Sequence, residues 1–141
     1  MAAVATATEM ARSIRQRSPA VIGLCLVEAA LLVTSGLIHL HLGQTAYRHV
    51  KTLGPLFIVQ FASCLVVAVA LLVLRHVLVA VAAVLLAAGT IIGFVLARTV
   101  GIFNFKLPYS TTLANQVLGV EIAAVVVGAL TVWVMWRHRA D

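Results

Sequence analysis

Four long apolar runs constrain this chain more than any other feature. They extend from Val21 to about Leu40, from Pro55 to Leu74, from Val77 to about Ala97, and from Leu113 to Trp136. A helix needs about 20 predominantly apolar residues to cross a bilayer. Within hydrocarbon every backbone N–H and C=O must find its partner inside the protein, which leaves helices and closed barrels. Uninterrupted apolar runs lack the alternation of barrel strands. The fold class expected is therefore all-α: an integral membrane up-down four-helix bundle with spans at about 21–41, 55–74, 77–98 and 113–136. A polar, basic segment (1–20) precedes this transmembrane domain (21–136), and a basic tail (137–141) follows it.

Composition supports the same class. The chain is 63% hydrophobic and 10% charged, against about 25% charged in a soluble domain. Its 141 residues leave no room for a soluble domain beside the spans. The net charge is +6 and the pI about 10.4. The ten Lys and Arg residues sit at span ends and in loops, a pattern that reflects orientation and anionic headgroups. No basic patch is interleaved with aromatics, so nucleic acid is not an expected partner.

Arg12, Arg15 and Arg17 precede the first run. That run exceeds a signal-peptide core of about 7–15 residues, so a retained signal-anchor helix is expected. With the N-terminus inside, Arg12, Arg15, Arg17, Arg75, Arg137 and Arg139 fall on the cytoplasmic side, and Arg48, Lys51, Arg98 and Lys106 outside. The excess favours both termini in the cytoplasm of a bacterial cell, and a multi-pass protein of its plasma membrane. Trp133 and Trp136 then lie at the inner interface, and Tyr47 and Tyr109 read as interface residues. Pro55 suits a first helical turn. The short Arg75-His76 connection predicts that the second and third helices are antiparallel neighbours. The two outer loops, Gly43–Gly54 and Thr99–Thr112, are longer.

Small residues suggest where helices approach one another. Gly89, Gly93 and Ala97 form such a series on the third helix, and Ala124 and Gly128 on the fourth. The contacts they make are either within the bundle or between copies. Cys25 and Cys64 read as small apolar residues, not as a disulfide.

Ionisable and polar groups inside a span are costly and mark where function would show. Glu28, Ser35 and His39 return to within about 20° of one helix face, forming a polar stripe that fixes packing or lines a proton, ion or ligand path. Glu121 shares a face with Ala124 and Gly128 and should point inward. Gln60, Arg98 and His39 lie at similar or shallower depth, and the expected partner of Glu121 is Arg98 folded inward as a buried pair. His39 and His41 point to different faces, and no second span offers a histidine at matching depth, so a bis-histidine haem lacks its partner. His41 and His49 are the weak candidates for a surface copper or zinc site. No phosphate-binding loop, nucleophile elbow or metalloprotease motif is present, and no serine or threonine is expected beside a His–carboxylate pair. No catalytic residue and no cofactor are expected, and the chain leans away from enzymes.

The stretch His39-Leu-His-Leu-Gly, Tyr47 and Leu53-Gly-Pro-Leu-Phe57 resembles a group of small uncharacterised four-helix integral membrane proteins of actinobacteria. Gly93, Ala97-Arg-Thr-Val-Gly-Ile-Phe103 and Glu121 resemble the same group, and the likeness spans about residues 25–130. Where the group tends to carry an aromatic soon after the histidines, this chain has Gly43-Gln44. The resemblance implies the architecture and transfers no mechanism. The leading functional expectation is a non-enzymatic accessory subunit or small binding module. Its expected partners are the bilayer and a membrane protein or further copies of itself. An oligomeric proton- or ion-coupled small transporter, and a haem- or quinone-binding redox subunit, are the alternatives.

Overall fold

The computed structural model describes residues 18–107 and 112–140. Arg12, Arg15, Arg17, Pro108 and Tyr109 lie outside the described residues, as does nearly all of the basic N-terminal segment. Among the described residues there are four α-helices: α1 (Pro19–Gln44), α2 (Leu53–Leu74), α3 (Val77–Thr99) and α4 (Thr112–Ala140). All four are long and apolar enough to cross a membrane. Large apolar side chains such as Val66, Val73, Leu78, Leu85 and Val126 stand exposed on the outside. Four such helices with an apolar exterior define a multi-pass membrane protein.

The helix ends have local causes. Pro19 opens α1, where the N–H it lacks has no intrahelical partner anyway. α2 starts two residues before Pro55, because the proline still falls within the first turn. Arg75 ends α2 in the left-handed conformation (φ 45°), and the extended His76 then caps α3, its Nδ1 accepting from the Leu78 N–H at 3.3 Å. α4 continues past Trp136 to Ala140. Arg137 lies over the Trp133 ring, 4.5 Å from its centroid.

The Arg75-His76 connection defines a turn end of the molecule; the two longer connections define a loop end. α1 packs extensively on α2 and also on α4, and α3 packs on α4, whereas α2 and α3 share few contacts despite their short link. At the turn end Val21, Cys25, Leu71, Ala80 and Met135 form one apolar cluster, and Ala29, Leu32, Cys64, Ala68 and Ala83 form the next one up. Both cysteines are buried and free.

Glycines allow the closest approaches on α1. A Cβ on Gly36 would lie 3.1 Å from Cβ of Cys64, and one on Gly43 3.0 Å from Cβ of Phe57, both across the α1–α2 seam. On α4, a Cβ on Gly128 would lie 2.7 Å from Cγ2 of Val84 and 3.0 Å from Oε1 of Glu28. Gly89 and Gly93 behave differently. Nothing lies within 4 Å of a Cβ added to either. Of the two contacts expected of this series, within the bundle or between copies, Gly89 and Gly93 do not make the first: they face open space. Ala97, in the same series, is buried, as is Ala124.

Candidate functional site

The space left between α2 and α3 is a cavity of about 380 Å³ at the loop end. Gly89 and Gly93 form part of its wall. The mouth lies between the two helices, where Leu56, Val59 and Leu85 both line the cavity and are exposed outside. α1 and α4 supply the back wall through His39, Val117 and Glu121.

The two loops roof it. Beyond α3, Gly101 (φ 84°) turns the chain into a tight reversal, in which Ile102 and Phe105 exchange two backbone hydrogen bonds of 2.8 Å. Phe103 and Asn104 at its tip both have positive φ, as a hairpin turn matching strand twist requires. The Leu107 N–H then bonds the Ala97 carbonyl at 2.9 Å, folding the loop back onto α3. This puts the Phe105 ring edge-on to Tyr47 (centroids 5.3 Å apart). Tyr47 in turn meets Phe57 at 4.9 Å, and Phe57 meets His39 at 5.4 Å. Burial raises the Tyr47 phenol above its ordinary value of 10.

The walls are mainly apolar, with His39, Gln60, Thr90 and Glu121 as polar groups among them. Ser35 donates a short hydrogen bond to Oε1 of Glu121 across the α1–α4 seam. Nδ1 of His39 lies 2.8 Å from the Ser35 carbonyl and 3.4 Å from the Ser35 hydroxyl. On the opposite wall the Gln60 amide donates to Oγ1 of Thr90 at 2.7 Å, joining α2 to α3, and Thr90 donates to the Leu86 carbonyl at 3.0 Å. Ser35, His39 and Glu121 are all buried.

The stripe on α1 places Ser35 with His39, and the carboxylate that joins them is Glu121 of α4; the expectation that no serine lies beside a histidine and a carboxylate is corrected here. The seven-residue steps of α1 and α4 run in opposite directions along one seam. Ser35 faces Glu121, and one step further toward the turn end Glu28 faces Gly128. The cluster still lacks the wiring of a nucleophile. A carbonyl only accepts, so Nδ1 of His39 carries the proton and cannot take one from Ser35. The serine gives its proton to the carboxylate directly, and the carboxylate does not orient the imidazole, as it must in a triad.

The expected Arg98–Glu121 pair is also corrected. Among the described residues Glu121 forms no ion pair, and its hydrogen bond comes from Ser35. Nη1 of Arg98 donates to Oδ1 of Asn115 at 3.4 Å, and the guanidinium lies 5.2 Å from the Phe94 ring centroid. Asn115 is six residues nearer the loop end than Glu121, roughly 9 Å along a helix. A long cationic side chain at a span end reaches outward to the interface.

Glu28 is fully buried, and neither carboxylate oxygen has a hydrogen-bond partner among the described residues. It lies below the cavity, not in its wall. His41 and His49 are exposed, and among the described residues no group of three or more His, Cys, Asp or Glu side chains is placed to hold a metal ion. Thr90 and Tyr47 are the wall residues that sequence reasoning missed. Thr90 lies one residue after Gly89, and a polar side chain inside a span was the available signal.

No protein-family model, curated protein or solved structure matches the chain.

Proposed function

We propose that this chain is a non-enzymatic binding module of the cell membrane that takes a small, mostly apolar molecule from the bilayer. In this reading the helices run up and down with both chain ends on the cytoplasmic side. The turn end then faces the cytoplasm and the cavity occupies the outer half of the membrane. The observation that carries it is the cavity itself: about 380 Å³, between α2 and α3, mainly apolar, with His39, Gln60, Thr90 and Glu121 in its wall. That size falls in the range of small-molecule pockets, about 300–1,000 Å³, which combine apolar walls with a few placed polar groups. A molecule entering between α2 and α3 keeps its apolar body at bilayer depth and brings only its head to the polar groups.

Filling the cavity tests the proposal. Gly89→Leu and Gly93→Leu place side chains into open space, so the fold should persist. Organic extraction of the purified native protein, followed by mass spectrometry, should yield a small molecule at near-stoichiometric amounts that the filled variants lack. Equal recovery from native and filled proteins would sink the idea.

A second reading has its own observation. Glu28, fully buried and without a hydrogen-bond partner among the described residues, is the kind of group found on proton or cation paths, and a transporter assembled from several copies would use it. Proton flux in liposomes that persists in a Glu28→Gln, Glu121→Gln double variant would exclude that reading. An accessory role beside another membrane protein is compatible with the binding module, the partner covering the mouth or the exposed helix faces.

A further inference from the structure

The hydrogen bonds around the cavity fix which polar atoms remain for a ligand. His39 commits Nδ1–H to the Ser35 carbonyl at 2.8 Å. A carbonyl cannot donate, so the proton sits on Nδ1 and the neutral ring offers a lone pair at Nε2. Gln60 is fixed by a similar argument. Thr90 gives its proton to the Leu86 carbonyl at 3.0 Å, so the Thr90 oxygen must accept from Gln60, and the atom 2.7 Å from it must be the amide nitrogen. The same nitrogen lies 3.7 Å from Sγ of Cys64. The carbonyl oxygen of Gln60 is then the part left over, and it is an acceptor. Glu121 has one oxygen engaged by Ser35; the other accepts whenever the carboxylate is ionised. His39, Gln60 and Glu121 all line the cavity. Donors are fewer there: the Thr90 and Ser35 hydroxyls are both spent within the protein, which leaves the Tyr47 phenol in the roof.

We infer that the occupant of this cavity is an apolar molecule headed by a hydrogen-bond donor: a hydroxyl, which gives its one proton to Nε2 of His39 or to the carbonyl oxygen of Gln60, or an amine, which has a proton for each. The inference rests on the binding-module reading and narrows it. A head that carries only carbonyls or ethers, an oxidised quinone among them, would bury these acceptors unpaired. That mismatch is costly, because a buried polar group loses its hydration and gains nothing in return. A hydroxyl and an ammonium share the donor chemistry. The ammonium would also place a positive charge beside Glu121, so the two are separable by the Glu121→Gln variant.

The test uses the full chain in lipid nanodiscs and three probes with one farnesyl body: the alcohol, the amine and the methyl ether. Binding is read by native mass spectrometry and by competition with a tritiated alcohol. The alcohol or the amine should bind roughly tenfold to a hundredfold more tightly than the ether, the scale set by leaving one or two buried acceptors unpaired. For the amine, Gln60→Leu, on the partly buried wall, and His39→Phe should each shrink that ratio while the ether holds its own affinity; for the alcohol, the variant that removes the acceptor of its one proton should do so. Should one variant fail to fold, the other still decides. If Glu121→Gln weakens the amine more than the alcohol, the head that fits is an ammonium; if it weakens neither selectively, the hydroxyl is the match. Alcohol, amine and ether binding equally well would overturn the donor-head inference and leave the cavity reading standing. A chain that excludes all three probes, whether as a monomer or as a dimer with a second copy over the mouth, would overturn both.

Discussion

The seam between α1 and α4 and the seam between α2 and α3 are built from similar apolar material, yet one is closed and the other open. Along the first, the buried α4 positions Val117, Glu121, Ala124, Gly128, Thr131 and Met135 recur at alternating steps of four and three residues. On α1, Val21, Cys25, Glu28, Leu32, Ser35 and His39 do the same. Matched steps on antiparallel helices let each side chain fall beside a gap or a smaller residue on its neighbour. Along the second seam, Ala80 and Ala83 of α3 share apolar clusters with Leu71, Cys64 and Ala68 of α2 near the turn end, but Gly89 and Gly93 further along meet nothing. Phe57, Phe61 and Cys64 of α2 turn instead to Gly36 and Gly43 of α1. A small residue in a membrane helix therefore marks room for a neighbour, and whether a neighbour comes depends on what the opposing helix is already holding.

The largest expected effect breaks the closed seam. Gly128→Leu would drive its side chain into Val84 and Glu28, where even a Cβ would lie 2.7 Å from Val84. Overpacking typically costs ~1–3 kcal/mol, and the contact with a buried carboxylate adds to it. Loss of monodisperse protein on size exclusion is the expected outcome. Gly93→Leu on the open seam should elute as native. Native-like elution of both variants would mean that the two seams do not differ.

Next in size is Gly36→Val. Its β-carbon would sit 3.1 Å from Cβ of Cys64 and 3.5 Å from the Phe61 backbone. The α1–α2 seam is held at both Gly36 and Gly43, so it can yield only by shifting a helix. A loss of ~1–2 kcal/mol should appear as a lower midpoint in denaturing-detergent titration. An unchanged midpoint would show that α2 slides freely on α1.

These contrasts also show what a sequence can disclose. The four helices were legible because each run reaches the length needed to span, and the amphiphilic logic of the bilayer leaves few other folds. Glu28, Ser35 and His39 were legible as a stripe because helical periodicity alone places them on one face. Their partners were not. Gly89 and Gly93 present the same spacing that elsewhere means contact, and only the packing of Phe57 and Phe61 against α1 decides that they line a hole. Thr90 was lost among apolar neighbours, since a lone threonine in a span most often bonds the carbonyl four residues back. It does so here, to Leu86, and accepts from Gln60 as well. The fold-back of Ile102–Phe105, which roofs the cavity and orients Tyr47, depends on positive φ at Phe103, a residue type that gives no warning of it.

The smallest expected effect separates the two polar partners once available to Glu121. Depth counted along the helices allowed Arg98 to fold inward, whereas the structure gives the carboxylate to Ser35. Interhelical hydrogen bonds in membranes average about 0.6 kcal/mol in double-mutant cycles, so a cycle of Ser35→Ala with Glu121→Leu should show coupling of about that size. A cycle of Arg98→Ala with Glu121→Leu should be additive within about 0.3–0.5 kcal/mol, as for residues that share no contact. Coupling in the Arg98 cycle with none in the Ser35 cycle would reverse the assignment. It would pull Glu121 toward the loop end and out of register with the α1 stripe. Ser35 would then lose the acceptor for its proton, adding a donor beside the acceptors of His39 and Gln60. The cycle thus tests both the register of the closed seam and the polarity of the pocket beside the open one.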